Sequence, residues 1–291
     1  MSEVPQLIAL VTGATSGIGE VTARELVQQG YHVVLLARNA TKAARTRQQL
    51  QKLAQPGTRV DVLLCDLSDL SQVRRAAEEF NQRYARLDVL VNNAGLVFGA
   101  ERETSVNGHE MTLATNHLGP FLLTSLLLEK LRQSSAARII NVASMAHKFA
   151  KPDLADLNAT RSYSPMRAYA NSKLFNILFT QELARQLRQR SISNITTNSL
   201  HPGVVASNFG SNSTWFTRAF YKAAAPFMTT SEDGAQTSIY LATSPEVADI
   251  SGGYFAKKKP EPVKSEFNTE ANVQQLWQQS EQLVGQPFFA E

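Results

Sequence analysis

The sequence predicts an α/β protein built on one doubly wound parallel sheet with helices on both faces. Seven short apolar runs recur along the chain: LIALVTG, YHVVLLAR, RVDVLLCD, LDVLVNNAG, RIINVAS, ITTNSLHPG and GGYFA. Most are continuously apolar instead of alternating, as strands covered on both faces must be. Between the first few lie segments 17–29, 41–53 and 69–83, with apolar residues at helical spacing. Strand and helix therefore alternate, which is the order of a parallel sheet with right-handed crossovers.

The first strand runs directly into TGATSGIG, residues 12–19, which opens the first helix. Glycines at 13, 17 and 19 permit a tight turn, close approach of a phosphate to backbone N–H groups, and close helix–sheet packing. The spacing G-x3-G-x-G is neither G-x-G-x-x-G nor a Walker loop, because no lysine follows the last glycine. A purely structural turn is the alternative.

The second strand ends in LLARN, with Arg38 and no acid from 32 to 40. An acid there would hold a ribose 2′-hydroxyl; a cation suits a 2′-phosphate, so NADP is favoured over NAD unless Arg38 merely caps the strand in solvent. After the third strand Asp66 is placed either to meet an adenine edge or to start the helix at Leu70 as its cap. Cys65, the single cysteine, reads as an inert thiol buried in a strand and excludes an intramolecular disulfide.

RSYSPMRAYANSK, residues 161–173, sets Tyr169 four residues before Lys173, so the two share one face of a helix. Ser164 and Pro165 read as the cap and first position of that helix, which leaves Tyr163 in the preceding loop, near a substrate. By itself a Y-x-x-x-K on an amphipathic helix is a chance pattern, with Tyr half-buried and Lys solvated. Phe175, Phe179, Leu183 and Leu187 form a second apolar flank beside Leu174 and Leu178. A second subunit, a lipid or the C-terminal tail could cover it.

At 291 residues the chain is long enough for one large domain. A net charge of +4 carried by scattered basic residues does not indicate nucleic-acid binding. The histidines at 32, 109, 117, 147 and 201 show no paired ligand spacing, so no metal is expected. MSEVPQ lacks the basic start and apolar run of a signal peptide, and PFLLTSLLL is far short of a bilayer span, so the expectation is a cytoplasmic protein. In 206–230, Phe216, Phe220, Ala224 and Phe227 recur at helical spacing, with Arg218 and Lys222 on another face. The stripe fits a lid over a greasy substrate, a helix packed on the core, or a peripheral membrane contact. AKKKPEPVK, 256–264, reads as a solvated loop.

TGATSGIG, NNAG at 92–95, Ser144, Tyr169-x-x-x-Lys173 and HPG at 201–203 occur in this order over most of the chain. Together they resemble the short-chain dehydrogenase/reductase family, whose fold is Rossmann-like. NHLGPF at 116–121, AYANSKLFNILFTQELARQL at 168–187 and the tail SGGYF…LWQQSEQLVG resemble its retinol dehydrogenase-like branch, so the match runs from about residue 7 to residue 285. The resemblance implies a catalytic quartet. Asn116 would hold a water in a proton relay, Ser144 would hydrogen-bond the substrate oxygen, Tyr169 would be the acid or base, and Lys173 would assist it. A free tyrosine titrates near 10 and is a sluggish base at pH 7, so a neighbouring ammonium is what the chemistry requires. The cofactor positions implied are Gly13, Thr15, Ser16, Gly17, Ile18 and Gly19 in the first loop, then Arg38, Asp66 and Leu67. Asn93, Ala94 and Gly95 follow, then Tyr169 and Lys173 again, and finally Pro202, Gly203 and Val205.

Three departures from the family pattern stand out. Ala143 replaces the first of two serines at the end of NVAS, and Ser207 stands where a threonine is usual. The 25-residue interval from Ser144 to Tyr169 is longer than in the wider family, and the retinol dehydrogenase-like branch shares an extended segment here.

The implied protein is one NADP-binding oxidoreductase domain over 1–291, with 204–230 as substrate lid and 257–291 as C-terminal extension. It would move hydride between NADP(H) and a hydrophobic carbonyl or alcohol such as retinal or retinol, as a monomer or a homo-oligomer. The rival readings are a C=C reductase of the protochlorophyllide reductase type and a non-catalytic NADP(H)-binding sensor or scaffold. Against the first, Phe175 stands where that group carries a cysteine; against the second, the whole quartet is retained.

Overall fold

A computed structural model of the chain describes residues 6–203 and 229–289. The strands among these are β1 (Ile8–Thr12), β2 (His32–Ala37), β3 (Val60–Leu64), β4 (Val89–Asn92), β5 (Ala137–Val142), β6 (Ile195–His201), β7 (Tyr254–Ala256) and β8 (Lys259–Pro260). They form one sheet in the order β3-β2-β1-β4-β5-β6-β7-β8, parallel from β3 to β7. The helices are α1 (Gly17–Gln28), α2 (Ala40–Gln51), α3 (Leu70–Arg83), α4 (Met111–Leu113), α5 (Gly119–Leu126), α6 (Leu128–Arg132), α7 (Pro165–Gln189), α8 (Ser231–Thr243) and α9 (Glu270–Val284).

Alternate strand residues feed two separate cores, because successive side chains leave opposite faces of a sheet. Val33 and Leu35 pack with Leu26 and Val27 of α1, Leu50 of α2 and Leu241 of α8. Val34 and Leu36 pack on the other face with Phe80 of α3, Phe121 of α5, Leu174 and Phe179 of α7 and Trp277 of α9. All six residues of β2 are buried, which explains their unbroken apolar run. Strand order reverses between β1 and β4, so the loops leaving their carboxyl ends splay apart and open a crevice there.

The second flank of α7 is covered by the chain's own C-terminus. Phe179 stacks on Trp277 at 5.9 Å between ring centroids, Phe121 meets Trp277 at 5.2 Å, and Phe288 lies 5.8 Å from Phe179. Ser280 of α9 completes the seal, accepting a hydrogen bond from Nε2 of buried His117 at 2.8 Å. Neither a second subunit nor a lipid is needed on that flank.

The loop expected over 256–264 contains a strand. Phe255 pairs with Pro260 and Ala256 with Lys259, antiparallel, around a two-residue turn at Lys257 and Lys258. Proline escapes the ban on central strands because β8 is the sheet's edge. The helix expected over 41–53 ends at Gln51. No described helix is long and apolar enough to cross a membrane.

Candidate active site

The TGATSGIG turn sits at the carboxyl end of β1, and its glycines are sterically required. Gly13 and Gly17 have φ of +65° and +57°. A Cβ on Gly19 would lie 2.3 Å from Asn93 Nδ2 and 2.4 Å from the Gly13 carbonyl oxygen. Asn93 braces the turn by donating from Nδ2 to the Thr12 carbonyl at 2.9 Å. Thr12 returns the tie: its hydroxyl accepts from the backbone N–H of Asn93 and of Ala94, both at 2.9 Å. Asn93 and Ala94 thus lock two loops of the crevice together, and Thr12, absent from the expected site, is their anchor.

Thr15, Ser16, Gly17 and Ile18 form the rim of this turn and the start of α1. Ser16 occupies the cap position in extended backbone, is exposed, and makes no side-chain capping bond. Its hydroxyl and the amides of the first turn are therefore free to meet a phosphate. The crevice fits a dinucleotide on this ground: an unengaged hydroxyl and the amides of a helix N-terminus stand at the carboxyl end of β1, where the strand order reverses.

Arg38 is exposed at the end of β2 and has no hydrogen bond or ion pair among the described residues. Asp66 does not start α3. That helix is capped by Asp69, which accepts from the amides of Ser71 and Gln72; Asp66 accepts instead from the Ser68 amide at 2.9 Å and hydroxyl at 2.7 Å. Asp69 wins because the cap must directly precede Leu70. Asp66 remains half-buried at the crevice edge. Leu67 is buried, and its carbonyl oxygen would lie 2.3 Å from a Cβ at Gly119.

Lys173 is the centre of the site. It is 3% exposed, and Nζ donates to the Val142 carbonyl at 2.9 Å and lies 5.6 Å from the Tyr169 ring centroid. Burial pulls its pKa down from 10.5 to about 8. Gly95 closes the other side, where an added Cβ would come within 2.8 Å of Nζ and 3.5 Å of Asn116 Oδ1. Tyr169 is half-buried one turn earlier on α7. Ser164 does occupy the cap position of α7 with Pro165 at its first turn, although the serine side chain makes no capping bond. Tyr163 lies in the loop before it and donates to the Gly99 carbonyl at 3.4 Å.

Asn116 is fully buried in a π-helical turn, Ala114–Leu118, between α4 and α5. Such turns often mark functional positions. Its side chain accepts from Leu96 N at 2.9 Å and donates to Leu96 O at 2.9 Å and to Ser172 Oγ at 3.0 Å. Both amide hydrogens are thereby engaged, so a water at this position would have to donate to Oδ1 or bind the main chain. Ser172, not anticipated from sequence, passes the contact on by donating to the Tyr169 carbonyl at 2.8 Å.

Ser144 follows β5 and caps a short 3-10 helix, Met145–Phe149, with Oγ accepting from Ala146 N at 3.2 Å. The bond occupies a lone pair and leaves the hydroxyl proton for another acceptor. Pro202 and Gly203, the latter at φ +92°, follow β6 at the same end of the sheet. Val205, Ser207 and the expected lid through residue 228 lie outside the described residues. A separate cleft of about 130 Å³ lies over Ser172 and Phe175 on another flank of α7. Its Arg161 is paired with Asp153 and Asp156, so that charge serves the 151–167 segment itself. Among the described residues no three potential metal ligands come together.

A family model described as short chain dehydrogenase matches residues 7–215. Retinol dehydrogenase 14 of Mus musculus is 41% identical over 288 residues, covering 95% of this chain and 85% of that protein. Retinol dehydrogenase 11 of Homo sapiens is 39% identical over 285 residues, covering 98% and 88%. Among solved structures, an uncharacterised protein from Mycobacterium Paratuberculosis superposes with a TM-score of 0.76 at 32% identity, covering 98% of this chain and 96% of that one. A short chain dehydrogenase from Burkholderia cenocepacia in complex with NADP superposes with a TM-score of 0.66 at 25% identity, covering 85% and 94%.

Proposed function

The chain belongs to the short-chain dehydrogenase family, and from that premise we propose that it is an NADP(H)-dependent oxidoreductase acting on a hydrophobic carbonyl or alcohol, with retinal and retinol as the first substrates to test. The observation that carries this reading is the buried Lys173 ammonium, held by Val142 on the helical face of Tyr169 with Ser144 at the adjoining strand end. Bound in the crevice, the nicotinamide supplies or takes up hydride.

The protein's own residues handle the oxygen. As carbonyl becomes alkoxide, negative charge gathers on oxygen; Tyr169 delivers a proton from its phenol while Ser144 donates a hydrogen bond to the same atom. The Tyr169 oxygen is then left with negative charge, and the Lys173 ammonium stabilises it. Oxidation reverses each step. The first-loop residues Gly13 to Gly19 would receive the pyrophosphate, Asn93 to Gly95 would form the crevice wall, and Asp66, Leu67, Pro202 and Gly203 would complete the nucleotide's surroundings.

Arg38 supports NADP over NAD: it is a solvent-facing cation with no acidic partner at the end of β2, where a 2′-phosphate would sit. The retinoid reading rests on the relatives' activity, 41% and 39% identical over nearly the whole chain. The test is single-turnover reduction of retinal and of a panel of apolar aldehydes with NADPH and with NADH. Turnover faster with NADPH, reversed or equalised in Arg38→Asp, supports both parts. Activity with NADH alone contradicts the role of Arg38, and turnover of polar aldehydes but not apolar ones contradicts the substrate class.

A further inference from the structure

The peptide unit between Ser144 and Met145 is gripped at both ends by imidazoles. Its carbonyl oxygen accepts from His147 Nδ1 at 2.8 Å and from the His147 amide at 3.1 Å. Its N–H donates to His201 Nδ1 at 3.2 Å. A carbonyl can only accept and an amide N–H can only donate, so the two rings must be opposite tautomers. His147 carries its proton on Nδ1; His201 keeps Nδ1 bare and carries its proton on Nε2.

The two histidines reach this peptide from different elements. His147 lies in the short 3-10 helix, is 1% exposed, and packs edge-on against Tyr254 of β7 at 5.0 Å between ring centroids. His201 is the last residue of β6 and pairs with Ala256 of β7. The ends of β5, β6 and β7 therefore converge on one peptide plane, and the plane belongs to the serine that faces the reacting oxygen.

We propose that His147 and His201 are positioning residues that fix the Ser144–Met145 peptide and thereby aim the Ser144 hydroxyl. The proposal rests on the carbonyl and alcohol chemistry assigned above. Without the clamp this peptide could rotate, carrying Cα of Ser144 and the Oγ–Ala146 bond with it. A displacement of about 1 Å at a reacting group lowers a rate by about a hundredfold. Both rings are suited to the task because burial, before any charge effect, disfavours their protonated forms; the neighbouring His147, Lys148 and Lys257 add to this at His201.

The test compares His201→Leu, which removes the acceptor, with His201→Asn, whose side-chain oxygen can occupy the place of Nδ1, each in the native and Ser144→Ala backgrounds. In the native background His201→Leu should lower kcat about tenfold or more with KM and NADPH affinity little changed, and His201→Asn should recover most of the loss. In Ser144→Ala, His201→Leu should cost little further. Losses that add fully in the double variant, or an Asn variant as slow as the Leu variant, overturn the proposal. Imidazole nitrogen NMR of the unmodified full chain provides a readout that needs no turnover. Protonated Nδ1 at His147 with bare Nδ1 at His201 is expected, and protonated Nδ1 at His201 overturns the clamp. A chain that turns over no carbonyl or alcohol contradicts the functional reading instead, and the NMR result still decides the clamp.

Discussion

At the scale of single residues, position in the fold separates chemistry from packing. Two tyrosines six residues apart differ in this way: Tyr169 shares a helical face with a buried ammonium, whereas Tyr163 sits in a loop and bonds a backbone carbonyl. Tyr163→Phe should keep turnover within a few-fold, which steady-state kinetics will show; a collapse equal to that of Tyr169→Phe would reassign the acid. Lys173 makes a second test. Its folded pKa of about 8 lies below its unfolded 10.5, so between those values the unfolded chain holds more protons and stability rises with pH. Below about 8 the buried charge exerts its full penalty, on the order of 3 kcal/mol. Lys173→Met should accordingly unfold at higher urea than the native chain at pH 7, with the difference narrowing toward pH 10.5, while losing activity. A variant less stable at pH 7, with no pH-dependent gap, would contradict the burial penalty.

At the scale of elements, most of the architecture was legible because buried parallel strands and amphipathic helices leave opposite hydrophobic signatures. The seven apolar runs all became strands, and α3 begins one residue from its expected start. What could not be read were features set by pairs of side chains far apart in sequence. Nothing local marks Thr12 as the anchor of Asn93, Ser172 as the partner of Asn116, or His201 as more than a turn residue, since each acts through a contact the fold creates. Asp66 and Asp69 show the local version of the same limit: both suit a cap, and a three-residue difference in backbone position decides between them. The edge strand β8 was hidden because its KKKP sequence has no apolar signature at all. Its turn places Lys257 and Lys258 at φ of +50° and +64°, left-handed values that cost non-glycine residues about 1 kcal/mol or more each. Lys258→Gly should therefore raise the stability of the chain by several tenths to about 1 kcal/mol in urea unfolding; a destabilised variant would show the turn to be unstrained.

At the scale of the whole molecule, the C-terminal helix is an integral wall of the sheet's second core. Trp277 is 6% exposed among Phe121, Phe179 and Phe288, so Trp277→Ala should cost about 3 to 5 kcal/mol and lower Tm markedly. A change under about 1 kcal/mol would mean the tail is not part of the cooperative unit. His117 lies under the same wall, and burial lowers its pKa to about 4. Between 6.5 and 4 the unfolded chain gains the proton first, so its contribution to stability falls on acidification, by about 2 kcal/mol from pH 7 to pH 5. His117→Gln should flatten that part of the acid limb of urea unfolding; an unchanged slope would mean the imidazole is not buried neutral. The wall and the crevice meet in α7, one flank holding the tail and another carrying Tyr169 and Lys173, so the face bearing that pair is supported from behind by Trp277 and Phe288. The most direct test of the account is the burst of NADPH oxidation on mixing enzyme, NADPH and an apolar aldehyde, compared between the native chain and Tyr169→Phe with nucleotide affinity measured in parallel. NADPH binding should be little changed and hydride transfer lowered at least about a hundredfold in the variant; an undiminished burst would rule out Tyr169 as the proton donor.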